Sequence, residues 1–409
     1  MQHRPIIILI ALIHVFSLFA CSDDDEGGTA PADPTGETSG HQPPDDVQNG
    51  LTGSLTQGRN LHTATLLADN RVMVIGGFDG VNRLASCEIY DPATGEWSLA
   101  ASLAEPRCFH TATLLLDGRI LVAGGAGSDS KSLVWTELYD PDTDSWSPIN
   151  YDRDLDLDPT WLEHGRKHHA ATRLADGRVL LTGGFNSYYV SDITGLPGLY
   201  LRSYEIFDPT TNDCILPGFD RLLNKRYCHT STLLNNGRVL LVGGYNRTDT
   251  YHEYCELYCP QPDTCLAATP IPVGRMQHTA HKLRDGRVLV IAGKNAMNGF
   301  TRDCKIYDPD SGTWTATGSM RQPRSGMTTA ILDQERILAS GNLYSMSTEI
   351  FDVINGTWDF GPDMVGYRQY HTMTSIADGV VLIVGGIDND PDTGGYLASC
   401  ELFVAPVSD

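Results

Sequence analysis

The chain has 409 residues, 29 of them basic and 51 acidic, for a net charge of −22. A surface this acidic repels nucleic acid and anionic lipid, so DNA, RNA and peripheral binding to anionic membranes are set aside. The hydrophobic fraction of 41% supports a folded body with a sizeable core, in one large domain or two ordinary ones.

The first segment is apolar. Arg4 is the only charged residue of the first twenty, and Ile6 to Phe19 is a nearly unbroken apolar run of fourteen residues. A membrane span needs ~20 such residues, so this length suits the apolar region of an export signal. The run ends in Leu18-Phe19-Ala20-Cys21, which resembles the lipobox of bacterial lipoproteins, with Phe19 where that motif usually has a smaller residue. The resemblance implies a signal peptide over 1–20, lipidation of Cys21 and anchoring in the bacterial cell envelope, at the outer membrane or cell surface. Residues 21–46 follow, rich in Asp, Gly, Pro and Thr and nearly devoid of large apolar side chains. Such a stretch cannot bury enough surface to offset its ordering entropy, and it reads as a disordered acidic tether.

From residue 47 to 405 the chain is periodic, at close to 50 residues per copy, and residues 406–409 form a short tail. Arginines recur at 59, 107, 166, 226, 275, 324 and 368. A histidine stands three residues after each except the sixth, which has Met327. Each opens an apolar segment that in most copies ends at an Asp-Gly, Asn-Gly or Asp-Asn turn. A second apolar segment follows and closes on a glycine doublet such as Gly76-Gly77, which degrades to Ala292-Gly293 and Ser340-Gly341 in copies five and six. Those turn dipeptides suit two-residue hairpins. A third segment is typified by Cys87-Glu88-Ile89-Tyr90-Asp91-Pro92, with Trp97 beyond it. Four short strands per copy, repeated radially, make a propeller. Glycine doublet, tyrosine and tryptophan at fixed offsets in seven copies resemble the kelch family. The resemblance implies an all-β, seven-bladed propeller with four antiparallel strands per blade. The last copy stops after three segments, and Leu51 to Arg59 matches Leu99 to Arg107, so an N-terminal strand is expected to close the last blade.

A framework contact repeats with the framework, whereas a catalytic site is asymmetric. The recurring Arg and His are therefore read as structural, with the His buried between blades. Function is expected where the copies differ. Long insertions run through Tyr151 and Trp161, through Tyr188, Tyr189 and Tyr200, and through Tyr245, all near blades three and four. Aromatic faces with polar neighbours on long loops suit carbohydrate or peptide ligands. The alternation Asp388, Asp390, Asp392 resembles the start of a calcium loop, without its glycine and its closing glutamate. Cys259 and Cys265 flank a hairpin where other copies have Asp and Trp, and a disulfide is expected between them.

The resulting reading is a monomeric, non-enzymatic envelope lipoprotein that binds a protein or polysaccharide through one propeller face, with no cofactor unless calcium. Two alternatives belong to other classes. Seven kelch blades also resemble the central domain of galactose oxidase, a copper-radical enzyme, and Tyr370-His371 matches that family's Tyr-His pair. The chain is also similar to exported sugar mutarotases built on kelch propellers, which need an acid/base group near the channel.

Overall fold

A computed structural model describes residues 49–148, 165–190, 197–215, 222–246, 250–297, 299–324, 326–342, 345–388 and 394–406. The signal segment, the tether, Tyr151, Trp161, Asp390 and Asp392 lie outside these. The described residues form seven four-stranded antiparallel sheets and no helix. In the first blade the strands are Thr63–Leu66, Val72–Ile75, Cys87–Asp91 and Glu96–Ala100, counted outward from the axis. The last blade draws three strands from Thr372–Ala377, Val380–Val384 and Cys400–Val404. Its outer strand is Gly50–Leu51, with Gly50 opposite Leu402. The ring closes as its repeat pattern predicts.

The first turn of each blade differs from expectation. Leu66 pairs with Val72, the amide of Leu67 reaches the carbonyl of Arg71 at 2.8 Å, and Asn70 adopts φ 69°. This is a three-residue loop with one left-handed position, and Gly118 and Gly237 take that position in blades two and four. The Asn-Gly and Asp-Gly signals therefore mark one positive-φ residue rather than two.

Each second strand is buried along its whole length, as in Val72–Ile75 and Val239–Val242, because both faces of a blade pack on neighbours. That is why these strands read as unbroken apolar runs rather than alternating ones. Cores accordingly span adjacent blades: Met73, Ile75 and Ile89 pack with Ile120, Val122 and Tyr139 of the next. The Tyr and Trp of strands three and four stack, with Tyr90 and Trp97 ring centres 5.2 Å apart. The Trp97 indole donates to the carbonyl of Gly53.

The expected Cys259–Cys265 disulfide does not form; both are free thiols. Cys259 lies opposite Thr264, and Cys265 lies opposite Tyr258. Successive residues of a strand face opposite sides of the sheet, so this register sends the two sulfurs apart.

Three recurrent contacts tie the blades together. Each arginine is buried against an acid of its own blade: Arg59 with Glu88 at 2.8 Å, Arg324 with Glu349 at 2.9 Å, and likewise Arg107–Glu137, Arg166–Glu205, Arg226–Glu256 and Arg368–Glu401. In blade five Lys305 holds the glutamate position, and Asp303 replaces it as the partner of Arg275. The glutamates also accept main-chain amides of the incoming connection, such as Thr56 to Glu88 at 2.8 Å. The histidines bridge blades through Nε2: His110 to Thr63 at 3.0 Å, His169 to Thr111 at 2.9 Å, His278 to Thr230 at 2.9 Å, and His62 to Thr372 at 3.0 Å across the closure. Where Ala170 removes the threonine, His229 bonds Thr182 instead. Finally, the second glycines of the doublets, Gly77, Gly125, Gly184 and Gly244, donate to the carbonyls of Arg107, Arg166, Arg226 and Arg275 at 2.8 Å.

Candidate functional site

The residue immediately before each recurring His, or before Met327 in blade six, turns at the channel mouth. It takes a left-handed conformation in every blade: Leu61 (φ 55°), Phe109 (57°), His168 (54°), Cys228 (53°), Gln277 (54°), Gly326 (56°) and Tyr370 (53°). Non-glycine residues rarely adopt this region. Here the main chain is held by its own bonds. The amides of Phe109, His168, Cys228 and Gln277 donate to the carbonyls of Leu61, Phe109, His168 and Cys228 at 3.1–3.4 Å, and Tyr370 donates to Gly326 at 3.1 Å. The result is a ring of peptide groups around the axis carrying seven different residue types.

Four of these side chains, from Leu61, Phe109, His168 and Tyr370, line a cavity of about 590 Å³ at the mouth. Small-molecule sites commonly measure roughly 300–1,000 Å³. Its floor is apolar, with Leu61, Cys108 and Ala126 packed beside Phe78, Phe109 and Tyr370. Phe109 stacks on His168 with centres 4.1 Å apart. One wall comes from the ribbons of blades one and seven, where Phe78 meets Tyr396 edge to face at 5.6 Å. Tyr396 also covers Gly80, where an added Cβ would sit 2.4 Å from its ring. The opposite wall is a cluster in which Tyr200 lies 5.2 Å from Phe185 and 5.3 Å from Tyr227. Tyr245 and Tyr251 extend that cluster behind the wall.

Two cations stand in these walls. Arg83 lies over the Phe78 ring at 5.4 Å, and Lys167 over Phe185 at 5.8 Å. Among the described residues no carboxylate lines the cavity. Burial lowers the pKa of Lys167, and Arg83 lowers it further. Burial raises the pKa of the Tyr227 phenol, with Tyr200, Tyr245 and Tyr251 adding to the shift. The framework histidine His371 is a different environment. It is fully buried, and burial with Arg368 holds its pKa well below the ordinary value, so it is neutral.

Of the residues expected from sequence to bind ligand, Tyr200 lines the cavity and Tyr245 backs it. Tyr188 and Tyr189 belong to the strand Phe185–Val190, and their side chains are not described. Tyr151 and Trp161 fall outside the described residues. Asp388 sits half-buried opposite Gly395, and Asp390 and Asp392 are not described. Sequence reasoning missed Leu61, Phe109, His168, Tyr227, Arg83 and Lys167. A signal for the ring was present: the two columns between Arg and His are adjacent positions inside an otherwise uniform segment where the copies share nothing.

Tyr370 and His371 part company in the fold. Tyr370 faces the cavity, while the His371 Nε2 is bonded to Ser340 Oγ at 2.8 Å in the interblade layer. The next two ring positions are Leu61 and Phe109, which offer a metal no donor. Among the described residues no three His, Cys, Asp or Glu side chains converge on one point. Tyr370 and His371 are therefore not turned toward one common point.

Residues 60–104 and 107–151 match the Kelch motif. The molecule is a seven-bladed, kelch-motif β-propeller. No curated protein matches the chain. Among solved structures, a fungal alcohol oxidase of the AA5 family, determined in complex with copper, aligns with a TM-score of 0.67 at 17% identity. The alignment covers 88% of this chain and 76% of that one. At this identity the likeness is one of fold.

Proposed function

We propose that this protein is a non-enzymatic binding propeller of the bacterial cell envelope, holding a small ring-shaped ligand such as a sugar unit in the cavity at its mouth. One observation carries the reading. The two adjacent positions at which all seven repeats diverge, between the recurring Arg and His, line the cavity, while the recurrent Arg and His side chains are committed to the framework. Aromatic walls on two sides suit the C–H faces of a pyranose or the side chains of a peptide. The lipobox-like Cys21 and the acidic tether support presentation away from a membrane.

The test is a glycan array and ligand-observed NMR on the full chain and on Tyr227→Ala and Phe78→Ala. Binding that falls at least tenfold in both variants supports the reading, since a stacking aromatic contributes about 1–1.5 kcal/mol beyond the area it buries. Cys21→Ala should move the protein from the membrane fraction to the soluble fraction. The copper-oxidase alternative draws on the Tyr370-His371 pair and the shared fold. Stoichiometric copper in the purified protein, with alcohol oxidation, would overturn the binding reading, and so would catalysed anomer exchange of a sugar.

A further inference from the structure

Building on the proposed binding cavity, we infer that its ligand is an anion: a six-membered ring bearing a carboxylate, as in a uronic acid, with the acid group between Arg83 and Lys167. The chain carries 51 acidic against 29 basic residues, yet the described residues that line the cavity include two cations and no carboxylate.

Neither cation is neutralised within the described residues. Arg83 contacts the Phe78 ring and makes no ion pair, and its Nε, buried, has no hydrogen-bond partner. Its neighbour Asp79 is already committed: one oxygen accepts the amides of Val81 and Asn82 at 2.8 and 2.6 Å, and the other accepts Gln57 Nε2 at 2.6 Å. Lys167 has a single long contact to the Ser130 carbonyl, 3.4 Å. Two cations on the walls of one partly dry cavity are stabilised by an anion placed between them. The buried Asn60 Oδ1 at the same cavity is also without a partner among the described residues, and it can accept a ligand hydroxyl.

The full chain is titrated by calorimetry with glucuronate and galacturonate, and with glucose and galactose as neutral counterparts, at low and high salt. The uronates should bind at least about tenfold tighter than the neutral sugars, the strength of one charge-assisted hydrogen bond. Arg83→Gln and Lys167→Gln should each lose about that factor for uronates and lose clearly less for neutral sugars. Both side chains are half-exposed, so the fold does not depend on them. Equal binding of acids and neutral sugars, or variants that bind uronate like the parent, would sink the inference. If uronates fail while a neutral glycan binds in a Tyr227-dependent way, the anion is wrong and the cavity reading stands. If nothing binds in a Tyr227-dependent way, both fall.

Discussion

The amide of Gly386 in the last blade donates to the carbonyl of Arg59 in the first, 2.8 Å away, and so repeats at the seam the bond that joins every neighbouring pair with a glycine doublet. Gly386 has φ 101°, and a Cβ there would lie 2.7 Å from the Gln369 carbonyl and 2.9 Å from the His371 side chain. Gly118 also has positive φ, 87°, but open space around it. Gly118→Ala should cost about 1 kcal/mol from conformation alone. Gly386→Ala should cost roughly 3 kcal/mol or more, since the clash adds to it. Urea unfolding of the two variants separates the effects. Equal losses would mean that the seam relaxes freely.

The arginine–acid pairs predict an unequal series. Arg107 is fully buried, so Glu137→Ala strands its charge and should cost about 3–5 kcal/mol. Asp303 is 33% exposed and shares its charge with Lys305, so water can replace it. Asp303→Ala should cost roughly 1–2 kcal/mol. The two values come from the same denaturation experiment, and the reverse order would contradict the burial argument.

Acid should destabilise the propeller through its histidines. Burial lowers the pKa of His62 and His278 to about 3 and that of His281 to about 4, and pushes His110, His169, His229 and His371 well below the ordinary value. The fold holds them neutral, whereas the unfolded chain protonates them near 6.5. Unfolding therefore takes up protons below that pH. The stability these groups give is complete above about pH 6.5 and is lost as pH falls toward 3, by about 1.4 kcal/mol per pH unit for each histidine. Tm measured from neutral pH down to about pH 5 should drop steeply, and His278→Gln should flatten the slope by one histidine's share.

The thiols offer a further check. Burial raises Cys87 and Cys400 to about 12 and Cys255 and Cys304 to about 11. A thiolate is the reactive form, so iodoacetamide at about pH 8 should spare all four in the native protein and label them in denaturant. A peptide map without reductant should return Cys259 and Cys265 as separate thiols. A linked peptide would mean that the register between Tyr258 and Cys265 is wrong.

The ring, its seven blades and the closing strand were readable because their contacts are copied. An arginine that must meet a glutamate, or a glycine that must lie 2.8 Å from a carbonyl, leaves the same letter in the same column. The cavity was hidden for the opposite reason. Leu61, Phe109, His168 and Tyr370 share a backbone conformation and no single chemistry, and Arg83 reaches the cavity from the loop after the Gly76-Gly77 doublet while Lys167 reaches it from the Arg–His segment of another blade. Attention to long insertions found Tyr200 but pointed to blades three and four, whereas most of the cavity lies over blades seven, one, two and three. The Cys259–Cys265 expectation failed on parity: nearness across a hairpin does not put two side chains on one face.

The mouth ring already accommodates leucine, phenylalanine, histidine, cysteine, glutamine, glycine and tyrosine on one main-chain geometry. Its shape is thus set by bonds between peptide groups; Cys228 is tied by a disulfide, and the other side chains differ without changing that geometry. Recognition can therefore be rewritten at these positions with little effect on assembly. A library randomised at 61, 109, 168 and 370 should yield propellers of near-parental stability and divergent ligand choice, making the molecule a receptor frame with exchangeable lettering.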